Sequence, residues 1–86
     1  MPYIPSKDRL RAAETPATPG ELTFAITALI DAYLACAPGA INFEKRGDVV
    51  LALECAKLEF YRRVLAPYED RKCKDNGDVY GGGLFI

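Results

Sequence analysis

The stretch TPGELTFAITALIDAYLAC, residues 18–36, decides the fold class. Thr18-Pro19-Gly20-Glu21 reads as a capping box with proline at the first helical position: the Thr18 hydroxyl can accept from the Glu21 amide, and Glu21 can reach back to the Thr18 amide. Behind it, Leu22, Ala25, Ile26, Leu29, Ile30, Tyr33 and Leu34 recur at helical spacing. They form one amphipathic stripe that runs to about Cys36 and stops at Pro38-Gly39.

Downstream, Gly47-Asp48 reads as a second start, with Asp48 as N-cap, after a connection that allows a short helical turn around Phe43–Arg46. No proline or glycine interrupts Val49 to Ala66. Val49, Leu53, Ala56, Phe60 and Val64 share one face, and Leu51, Cys55, Leu58 and Leu65 share another roughly 150° away. The first helix can cover one of these stripes. The second needs a further partner, so a homo-oligomer is expected, with coverage by the chain's own arm and tail as the alternative.

Pro67 predicts a kink or a helix end. The segment Tyr68 to Lys74 is helix-compatible, and Asp75-Asn76-Gly77 stops it, with Asn76 or Gly77 free to take a positive φ. Asp78-Val79-Tyr80 reads as extended, Gly81-Gly82-Gly83 as a hinge and Leu84-Phe85-Ile86 as an apolar tag. Upstream, three prolines within residues 1–17 imply an extended arm, with room for one helical turn around Lys7–Ala13, which Tyr3 and Ile4 could anchor. The expectation is an all-α single small domain over 1–86. It has two main antiparallel helices, a kinked C-terminal helical extension, an arm at 1–17 and a flexible tail at 81–86, in a homo-oligomeric bundle.

Composition narrows function by exclusion. The chain has 86 residues, half of them hydrophobic, a net charge of −1 and no histidine. Near neutrality argues against a dedicated nucleic-acid binder. The absence of histidine removes the commonest general base and metal ligand together. Three widely spaced cysteines (Cys36, Cys55 and Cys73) contain no Cys-x-x-Cys pair and leave one thiol over if paired, so reduced thiols in a cytoplasm are expected. The most apolar run, Leu22 to Ala37, carries Thr23, Thr27 and Asp31 and is too short for a membrane span. No nucleophile elbow or phosphate loop occurs, so no enzyme activity, metal or cofactor is expected. Cys73, between Lys72 and Lys74, could have a lowered pKa but has no evident acid–base partner.

The densest functional stretch holds Tyr61, Arg62, Arg63, Tyr68, Arg71, Lys72, Asn76, Asp78 and Tyr80. Arginine forks suit phosphate, tyrosine rings suit a base, and Asn76 and Asp78 suit polar ligand edges. A small anionic, nucleotide-like ligand needs that combination. Against it, residues 57–80 hold six basic and five acidic side chains, a balance that also suits internal pairing such as Glu59 with Arg62 and Arg63.

Several elements resemble an uncharacterised family of short proteins from tailed phages, prophages and bacteria. They are Pro2-Tyr3-Ile4, Pro19 to Thr27, Ala52 to Arg63, Ala66-Pro67-Tyr68-Glu69-Asp70-Arg71-Lys72 and Asn76-Gly77-Asp78-Val79-Tyr80. The chain departs from that pattern at Thr23-Phe24, where relatives tend to have Asn-Tyr, in the connection 38–48, and in residues 81–86. The resemblance implies a small accessory protein in a bacterial cytoplasm. One such role is an anti-defence protein that sequesters a nucleotide-derived signal. The alternative is a protein-interaction module that inhibits or adapts a host protein.

Overall fold

The computed structural model describes residues 2–81, and among these every regular element is helical. A 3₁₀ turn, Ser6–Asp8, leads into α1, Arg9–Glu14. Then come α2, Pro19–Cys36, and α3, Phe43–Phe60. A π-helical turn, Tyr61–Leu65, joins α3 to α4, Ala66–Asn76. The chain forms two compact units, one up to Val49 and one from Val50 on, with α3 beginning in the first and continuing into the second.

In the first unit, α2 starts as its sequence dictates. The Thr18 side chain accepts from the Glu21 amide at 3.1 Å, and Pro19 occupies the first turn. Glu21 does not close the box on the Thr18 amide. Its Oε1 accepts instead from the Ala17 amide at 2.9 Å, because the carboxylate is also gripped by both Arg11 guanidinium nitrogens at 2.6 and 2.8 Å. That bidentate pair fastens α1 to the start of α2. The Arg9 guanidinium, 5.8 Å from the Phe24 ring centroid, adds a second fastening.

Between these helices Ala12 is fully buried, the only described residue that is. Phe24, Ala25 and Ala28 are half-buried, whereas Leu22, Ile26, Leu29 and Tyr33 of the expected stripe are exposed. Phe24 lies outside that stripe, whereas Ala25, Ile30 and Leu34 belong to it and are half-buried, so the stripe is covered only in part. Inside α2, Thr23 and Thr27 turn their hydroxyls back onto the carbonyls four residues earlier, at 2.9 and 2.8 Å, which lets polar side chains sit mid-helix. Ala37 leaves the helix in an extended conformation, and Gly39 follows at φ 79°.

Two expectations about this unit need correcting. The arm is helical over 6–14, more than the one turn expected around Lys7–Ala13, and of its two expected anchors Ile4 is half-buried while Tyr3 is 81% exposed. The second long helix starts at Phe43, not after Asp48. Asn42 caps it, its Oδ1 accepting from the Lys45 amide at 2.9 Å, so Gly47 and Asp48 are interior helical residues. The helix tolerates Gly47 at a cost of about 1 kcal/mol relative to alanine.

In the second unit, Pro67 does not end the helix. It removes one amide donor and crowds the carbonyl four residues back, and the preceding turn widens to accommodate it. The Ala66 amide bonds the Tyr61 carbonyl five residues back, while Phe60, Leu65 and Ala66 keep helical backbone angles. Helix α4 ends at Gly77, where φ 94° and ψ 145° suit only glycine, and the Gly77 amide bonds the Cys73 carbonyl at 2.9 Å. From Val50 to Gly81 every residue is exposed except the half-buried Ala66 and Pro67. The tag Leu84-Phe85-Ile86 and two of the three hinge glycines lie outside the described residues.

Two outcomes check this account. Thr18→Ala should lower stability by about 1 kcal/mol through loss of the cap, read as a depressed thermal midpoint in circular dichroism. The Glu21 carboxyl is held down to about 2 from 4.5, first by the Arg11 hydrogen bond and then by that from Ala17. A depressed carboxylate stabilises the folded state above its unfolded pKa, and that contribution is lost as pH falls from about 5 towards 2. Melts across that range should show the loss, and Glu21→Gln should remove the Glu21 share of it.

Candidate functional site

Helix α4 and the turn after it enclose an open cleft of about 370 Å³. The helical spacing of Glu69, Lys72, Cys73 and Asn76 puts them on one side of α4, and Gly77 then turns the chain so that Asp78, Val79 and Tyr80 come back over that side. Asp78 braces the turn, its Oδ1 accepting from the Tyr80 amide at 2.9 Å. Residues 78–80 therefore form a side-chain-braced turn rather than the extended segment expected.

The nine expected ligand residues fall into separate groups. Lys72, Asn76, Asp78 and Tyr80 line the cleft together. Tyr68 stands one turn before Lys72, with the Arg71 and Lys72 cations 5.9 and 5.6 Å from its ring centroid. Arg62 and Arg63 are engaged elsewhere: Arg62 Nη2 donates to Glu59 at 3.0 Å, and Arg63 Nη1 lies 3.7 Å from the same carboxylate. Tyr61 is exposed in the wide turn. About nine residues of helix, or roughly 13 Å of rise, separate Arg63 from Lys72. The expected single cluster is thus a cleft group, a stacked tyrosine and an ion-paired arginine group.

Glu69, Asp70, Cys73, Gly77 and Val79 also line the cleft, although the residue-type argument passed over them as ligand contacts. Their signal was the 69–72/73–76 helical spacing followed by a glycine stop. Their presence changes the electrostatics. Three carboxylates (Glu69, Asp70 and Asp78) face one ammonium (Lys72), so the lining is acidic. The Cys73 thiol records this field. Its pKa is raised rather than lowered by the neighbouring lysines, first by desolvation, then by Asp78, which also accepts its hydrogen bond, and by Asp70. Such a thiol is a poor nucleophile at neutral pH.

A family model described as a domain of unknown function, DUF6899, matches residues 1–79. The chain belongs to the DUF6899 family. No curated protein and no solved structure matches it. No helix among the described residues of this DUF6899 chain is long and apolar enough to cross a membrane.

The cleft chemistry can be checked at Cys73. Its alkylation, followed by peptide mapping at pH 8, should be slow compared with a model thiol, and Asp78→Asn should speed it. Gly77→Ala should cost about 1–3 kcal/mol, because its backbone conformation excludes a side chain.

Proposed function

We propose that the chain is a non-enzymatic, self-associating helical binding protein that acts through its apolar helix faces. The observation that carries this is the mismatch between burial and apolarity. Among the described residues Ala12 alone is fully buried, while Leu22, Ile26, Leu29 and Tyr33 on α2 and Leu51, Leu53, Leu58 and Phe60 on α3 are exposed. In the proposed assembly α2 lies antiparallel on one apolar line of the long helix, and a second copy covers the other. A phage or bacterial accessory role in the cytoplasm, blunting or adapting a host protein, is the part of this proposal that rests on the family resemblance.

A second reading keeps the C-terminal cluster as a site for a small nucleotide-like anion. The Arg71 and Lys72 cations over Tyr68 favour it. The acidic cleft lining and the engagement of Arg62 and Arg63 with Glu59 weigh against it. Binding of a nucleotide that survives Arg63→Glu and Arg71→Glu would remove this assignment.

For the association reading, light scattering coupled to size exclusion should give a mass of at least two chains at tens of micromolar. The thermal midpoint should rise with protein concentration, as it does when folding and association are linked. A monomer whose midpoint does not depend on concentration would overturn the proposal.

A further inference from the structure

We propose that Leu53, Ala56, Phe60, Val64 and Tyr68 form a coiled-coil-type seam for a second copy of this chain, and that the wide turn before Pro67 keeps that seam in line. The proposal rests on the association reading above and names the surface that carries it.

At about 100° per residue, Leu53 and Phe60 lie about 20° apart around a regular helix, whereas Phe60 and Tyr68 would lie about 80° apart. The π turn Tyr61–Leu65 holds one extra residue and so removes about 100° of rotation. Tyr68 then returns to within about 20° of Phe60, the same step that separates Leu53 from Phe60. Ala56 and Val64 take the intermediate positions of the two repeats. The five residues follow the alternating three-and-four spacing of a heptad seam, with one skipped residue absorbed by the turn. Without the turn, the line from Phe60 would pass through Pro67 and Arg71 instead.

Size and charge argue for a second copy as the occupant. Leu53, Phe60, Val64 and Tyr68 are 42%, 62%, 53% and 47% exposed, and Ala56 between them is exposed as well. That amounts to on the order of 500 Å² of side chain per copy, or about 1,000 Å² over a pair, the threshold for a specific interface. The flanking charges are neutralised within the chain: Glu59 by Arg62 and Arg63, and Glu54 by Lys57 at 3.5 Å. With a net charge of −1, two copies meet no like-charge barrier.

The test uses the whole chain in sedimentation experiments, with circular dichroism run in parallel. Phe60→Asp should weaken self-association at least about thirtyfold, the loss of a central apolar anchor. Pro67→Ala frees the helix to become regular. It should raise helix content yet weaken association, because Tyr68 leaves the seam. Pro67→Ala combined with deletion of Arg62 should restore association, because Phe60 and Tyr68 then stand seven residues apart. An oligomer unmoved by Phe60→Asp would overturn the seam and leave the association reading standing. Failure of the deletion to rescue would overturn the role of the turn. A monomeric wild type would overturn both readings and assign the seam to α2 of the same chain or to a different protein.

Discussion

Hydrophobic burial supplies most of the free energy that offsets backbone ordering, which costs about 1–2 kcal/mol per residue. Here it is the scarce quantity. Among the described residues only Ala12 is completely withdrawn from solvent, and most large apolar side chains stand on helix surfaces. Helices of eighteen residues are marginal in water without a packed face. Exposed apolar faces on α2 and α3 are therefore the feature on which the proposed association rests.

Polar contacts give the first unit its definition in the meantime. Glu21 serves three groups at once: the helix start through its own amide, the Ala17 amide, and the Arg11 fork. A bidentate arginine–carboxylate pair is directional, so it fixes how α1 meets α2 as well as holding them together. Further along, Pro67 acts by subtraction. A missing donor widens one turn, and that turn changes which side chains downstream share a line with Phe60.

The C-terminal cleft shows how residue type and placement can point in different directions. Arginines, lysines and tyrosines suggested an anion site. Folding pairs Arg62 and Arg63 with Glu59, puts two cations on Tyr68, and turns three carboxylates into the cleft. Cys73 shows the effect too: adjacent lysines in sequence predict a lowered pKa, whereas desolvation first and then the carboxylates of Asp78 and Asp70 raise it. Side chains one residue apart on a helix point in different directions, so sequence neighbours are not electrostatic neighbours.

Local chemistry was legible from the residues alone. Thr18 and Pro19 start α2, Gly77 takes the positive-φ position that ends α4, and Glu59 pairs with Arg62 and Arg63, because each effect needs only a few adjacent residues. Membership of an all-helical class followed from the same short-range signals. The tertiary structure decided the rest. Asn42 outcompeted Asp48 as the cap, Phe24 from outside the main stripe met Arg9 of α1, and the helix ran through Pro67 by widening a turn. Each of these depends on groups distant in sequence or on the continuity of a whole helix, which propensity and spacing at a single position do not contain.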